Sequence, residues 1–157
     1  MVQDPTTKGV DEVASTLNQL IQICKDGESG FRAAASETKE ANLSRLFESY
    51  AQQRAEFGAE LQLEVRRLAR DPVDSGHAAA ALHRSWIDIK AGITGRDDGV
   101  VISEAERGED LAVRAYRKAL NTDLPADVRV LVERQFVQVQ EAHDHVRSLE
   151  RAHARSQ

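Results

Sequence analysis

The stretch Cys24-Lys-Asp-Gly-Glu-Ser-Gly-Phe-Arg-Ala-Ala-Ala35 (CKDGESGFRAAA) puts a carboxylate where helical periodicity asks for an apolar residue. Counted in steps of three and four, Leu17, Ile21, Cys24, Glu28, Phe31 and Ala35 fall on one helix face. A charge inside a core stripe needs a partner, either an opposite charge or a metal ion. The fold therefore depends on what the other helices bring to that height.

Working outward, the stripe predicts a first helix from about Val10 or Asp11, with Asp11 as a cap, to Ala35. The segment SETKEAN interrupts the pattern. A second helix over 41–69 carries Leu43, Leu46, Phe47, Tyr50, Arg54, Phe57, Leu61, Val65 and Leu68 on one face. Pro72 and Gly76 stop it. Leu82, Trp86, Ile89 and Ile93 give a narrower stripe over 77–93, with Trp86 as the anchor of a helix lying on a larger body. A capping-box pattern, Ser103 with Glu106, predicts a helix from Ser103 to Asn121. Pro125, in a first-turn position, opens a last helix to Ala152, whose stripe is Val128, Val132, Phe136, Val139, His143 and Val146. No stretch alternates with period two. The fold class expected is all-α: a ferritin-like four-helix bundle over 10–153, with a long crossover connection carrying an extra short helix. Residues 1–9 are read as a flexible lead and 154–157 as a tail.

Composition agrees. Of 157 residues, 41% are hydrophobic and 30% charged, with 9 Gly and 3 Pro, as suits a helical globular chain. A net charge of −5 argues against nucleic acid as a partner. The opening MVQDPTTKGV lacks a charged start followed by an apolar run, so no signal peptide is expected. No run approaches the roughly 20 apolar residues of a membrane span. Cys24 is the one cysteine and is read as a small buried hydrophobe. An internal disulfide is impossible, which suits the cytoplasm.

The two halves also echo each other. Gly27-Glu28 in the first helix matches Gly108-Glu109 in the fourth. Gln53-Arg-Ala-Glu56 in the second matches Gln140-Glu-Ala-His143 in the fifth. A spacing of three puts both members of each pair on one face, and carboxylates with imidazole suit iron or manganese. Candidate metal ligands are thus Glu28, Glu56, Glu109 and His143, with Gln53, Glu106 and Gln140 secondary. Glu106 is better matched in height to Gln140 and His143 than Glu109 is. The structural alternative gives Glu28 to Arg54 or Tyr50, gives Glu109 the same alternatives with Tyr116 nearby on its own helix, and makes Gln53 and Gln140 members of a hydrogen-bonded core network. Gly27, Gly30 and Gly108 are read as points of close helix approach.

The segments LIQICKDGESGFRAAA, YAQQRAEFGAELQ, HRSWIDIK, ERGEDLAVRAYRKAL and QEAHDHVRSL, spread over Lys8–Arg151, resemble an uncharacterised bacterial family of four-helix-bundle proteins in the ferritin-like superfamily. The resemblance implies a ferritin-like fold, a cytoplasmic bacterial setting and a link to stress. The superfamily's di-metal pattern is incomplete here: both pairs have Gln for the first Glu, and one pair alone has His. The expectation is a non-catalytic structural or interaction protein, a homodimer with a degraded polar core site, needing no cofactor. The alternative is a di-metal iron or manganese carboxylate protein with oxidoreductase or iron-handling activity.

Overall fold

The computed structural model describes residues 5–72, 77–93, 95 and 97–156. Five helices appear among them: α1 (Pro5–Glu37), α2 (Ala41–Arg67), α3 (His77–Ile93), α4 (Asp98–Leu120) and α5 (Ala126–Arg155). No described residue is in a strand. The fold class is all-α, a helical bundle. Residues 1–4 of the expected lead, the stop at Gly76 and the last tail residue Gln157 lie outside the described residues, as do the side chains of His77 and Leu82.

Two helix starts differ from the sequence expectation. α4 begins five residues before Ser103, because the carboxylate of Asp97 accepts from Val100 N at 3.0 Å and caps the helix there. Val101 and Ile102 are buried, so the earlier start extends the apolar face. α1 begins at Pro5, and Asp11 is no cap: it lies inside the helix and pairs with Arg70 at 2.7 Å. Pro125 stands at the N-cap of α5, just outside the first turn.

α1 packs along α2, and α4 along α5. Both pairs are antiparallel. Asp11 near the start of α1 meets Arg70 past the end of α2, while Phe31 stacks on Phe47 beside the 38–40 loop. Tyr116 near the end of α4 stacks on Phe136 near the start of α5. α1 also lies against α4, α2 touches α5 lightly, and α2 and α4 stand diagonally across the centre. Phe31, Phe47, Leu17, Leu61 and Val132 are fully buried there, each contributing about 1.5–3 kcal/mol by leaving water.

α3 lies on α1 and α4. Its anchor is Trp86, 2% exposed. A Cβ on Gly30 would lie 2.2 Å from Trp86 Cζ3, and one on Gly108 2.2 Å from Cη2. These glycines therefore seat an indole from α3, where the sequence suggested helix-on-helix approach. Gly27 differs: a Cβ there would meet Arg54 Cγ at 3.4 Å.

Candidate functional site

Arg54 on α2 and Glu109 on α4 reach each other through the middle of the bundle. Nη1 donates to Oε1 at 2.7 Å and Nη2 to Oε2 at 2.8 Å, with the two side chains 1% and 0% exposed. The fork geometry matches carboxylate to guanidinium. Phe31 adds a ring face, its centroid 5.4 Å from Arg54 Cζ. Burial alone would lower the Arg54 pKa, but the charge and hydrogen bonds of Glu109 raise it above the ordinary value. Arg54 Nε donates to Gln53 Oε1, and Gln53 Nε2 to Gln138 Oε1, both at 3.3 Å.

A second polar thread crosses one turn away. Cys24 Sγ lies 3.4 Å from Tyr116 Oη. Tyr116 donates to Gln135 Oε1 at 2.7 Å. Gln135 Nε2 donates to Phe57 O at 3.3 Å and to Glu60 Oε1 at 3.2 Å. Arg134 closes the thread on Glu60 at the surface, 2.5 Å away. Burial pushes the Cys24 thiol up to about 11, with Tyr116 and Arg54 opposing in part. Burial also holds the Tyr116 phenol well above its usual range. Both groups are neutral hydrogen-bonding partners at neutral pH.

The proposed ligands do not converge. Glu28 is half-buried and pairs with Arg32 one turn along α1 at 2.8 Å. The residue facing Arg54 from α1 is its neighbour Gly27. Glu28 thus sits at the stripe's edge, where its side chain lies along the helix surface. Glu56 is exposed and accepts from Gln52 at 3.3 Å, because Arg54 and Phe57 take the inward face. Glu109 is held by Arg54. Gln53 joins the core network, but its partner is Gln138, and the second thread uses Gln135 rather than Gln140. Tyr50, the other expected partner of Glu28, instead contacts His145 Nδ1 at 2.9 Å. This ion-paired centre does not fit a di-metal site: Arg54 takes both oxygens of the fully buried Glu109 carboxylate.

His143 is buried where the stripe predicted, and its Nε2 lies 2.6 Å from Asp110 Oδ1. Among the described residues, Glu106, Asp110 and His143 are the one group of three or more metal-capable side chains with ligand atoms within 4.8 Å of one another. Glu106 has its carboxyl raised to about 7, first by a hydrogen bond with Glu150, then by burial and by the charges of Glu150 and Asp110. Burial would lower His143, but its bonds to Asp110 and Asp144 carry it above its ordinary value.

Sequence reasoning missed Asp110 and Gln135 as polar participants. Gln135 was readable: Val128, Val132, Gln135 and Val139 step by four, three and four, and all are buried, whereas Phe136 is half-buried. Asp110 lies one turn from Glu106, a spacing that places both on one face.

A family model described as a domain of unknown function (DUF2383) matches residues 12–122. The chain belongs to that family. The matched span runs from within α1 to the turn after α4 and includes Arg54 and Glu109. No curated protein matches the chain.

Proposed function

Taking membership of that family as the premise, we propose that the chain is a non-catalytic structural or interaction protein, a ferritin-like bundle whose centre is closed by an internal ion pair. The observation that carries this reading is the fully buried, two-pronged Arg54–Glu109 bridge. A guanidinium in that place supplies the positive charge that a metal ion would supply, and it has no redox chemistry. The polar threads around it link α1, α2, α4 and α5 and fix how the helices register, as a lone buried polar residue does in coiled coils.

Support for the ferritin-like crossover comes from the two ends of the α2–α4 connection. Arg70, just past α2, meets Asp11 at one end of the bundle, while Asp98, opening α4, accepts from the backbone N–H groups of Lys39 and Glu40 at the other. The partner in this reading is a protein surface, a second copy first of all. Val130 and Val137, seven residues apart on α5 and 64% and 56% exposed, are side chains that such contact would cover. A cytoplasmic bacterial setting and a link to stress belong to the same proposal and rest on the resemblance. No helix is long and apolar enough to cross a membrane among the described residues.

The test is elemental analysis of the full chain purified from cells grown with added iron and manganese, beside Glu109→Gln. The expected result is no iron or manganese that depends on Glu109, so that the two proteins carry the same metal content. One or two such ions per chain, lost on Glu109→Gln, would overturn the reading.

A further inference from the structure

A second cluster of chemistry-bearing groups lies on the α4–α5 seam and takes no part in closing the centre. Glu106 and Asp110, one turn apart on α4, face His143 of α5. We propose that these three side chains form a mononuclear site for a first-row divalent transition ion of the zinc class. The proposal goes beyond the structural reading above, since neither Arg54 nor Glu109 contributes a ligand.

The donor set, one imidazole nitrogen and two carboxylate oxygens, is the kind that holds such an ion while leaving a position for water. The ring is aimed in advance. Asp144 lies 3.3 Å from Nδ1, which leaves Nε2 to face Asp110 at 2.6 Å. A carboxylate behind a ligating imidazole fixes its orientation and raises its basicity. His143 itself is 10% exposed and cannot swing freely, whereas Asp110, 43% exposed, can adjust.

Distances suit the insertion of an ion. Ligand atoms about 2.1 Å from a tetrahedral ion stand about 3.4 Å apart. The Nε2–Oδ1 contact would open by less than about 1 Å, and the widest separation, within 4.8 Å, would close by at most about 1.4 Å. Both changes are side-chain adjustments.

The charge around the ring points the same way. Asp144 stands at Nδ1, so three carboxylates, those of Glu106, Asp110 and Asp144, gather about one imidazole. The guanidinium of Arg147, half exposed, pairs with Glu106 through Nε at 3.6 Å, and an entering ion would compete with it for that carboxylate. Carboxylates that close share a proton or take up a cation. An entering ion displaces any proton on Nε2, which leaves to solvent.

The test strips the full chain with chelator and titrates it with cobalt chloride, read by visible absorption, and with zinc chloride, read by calorimetry. The expected result is one ion per chain and tetrahedral cobalt bands. Asp110→Asn and His143→Gln should each weaken binding at least tenfold, while His145→Gln leaves it unchanged. Circular dichroism checks that the variants stay helical; should His143→Gln unfold, the partly exposed Asp110→Asn carries the test. The site is overturned if the chain shows no saturable uptake below about 0.1 mM metal, or if uptake is indifferent to Asp110→Asn. Because Glu109 is not a ligand here, this failure is separable from failure of the structural reading.

Discussion

Trp86 rests on Gly108 so closely that a single methyl group there would stand 2.2 Å from Cη2 of the indole. The same ring covers Gly30 from the other side. α3 is thus keyed to α1 and α4 by one side chain in a notch made by two missing ones.

Gly108→Ala should therefore destabilise the protein by about 1–3 kcal/mol, although alanine favours helix by about 1 kcal/mol. Trp86→Ala should cost about 3–5 kcal/mol. In the double variant the clash disappears, so its cost should fall below the sum of the singles. Urea denaturation measures all three. Full additivity would mean that the indole and Gly108 do not meet.

Tyr116 and Gln135 form a buried donor–acceptor pair at 2.7 Å. Tyr116→Phe keeps the ring but strands the Gln135 oxygen, and should cost about 1–3 kcal/mol. Gln135→Leu leaves the phenol with the weakly bonding Cys24 thiol alone, with a similar expected cost. A Tyr116→Phe/Gln135→Leu protein should recover part of the loss, because neither the Gln135 oxygen nor the Tyr116 hydroxyl is then left without the other. Thermal melting of the set reads this directly.

Cys24 is fully buried and its thiol is pushed up to about 11. Iodoacetamide attacks the thiolate. The native protein should therefore resist labelling at pH 8, and labelling should become rapid only in denaturant. Mass spectrometry of protein quenched at intervals gives the rate. Fast native labelling would place Cys24 outside the core.

Much of this fold was legible in the sequence, and the reasons are local. The 3.6-residue period of Leu43, Phe47, Phe57 and Leu61 is written in consecutive turns, so α2 could be read directly. The role of Trp86 as anchor followed from its place in a narrow stripe. What could not be read was partnership across the bundle. Arg54 lies on its expected face, yet whether it meets Glu28 or Glu109 depends on a diagonal contact between α2 and α4, 55 residues apart. One residue of helical rotation brings Gly27, not Glu28, to Arg54. The Gln-x-x-His match drew the eye to Gln140, whereas Gln135 lay in plain sight among valines. The α4 start was missed because the Ser103–Glu106 pattern is a good local cap that Asp97 pre-empts.

The central claim is that Arg54 and Glu109 hold the core together as a pair. A double-mutant cycle by urea denaturation tests it most directly, using Arg54→Met, Glu109→Leu and the two combined. Each single variant should lose about 3–5 kcal/mol, since it leaves one charge buried and alone. The double variant, with two apolar groups in the same space, should recover most of that loss. Single variants that cost little, or costs that simply add, would contradict the account.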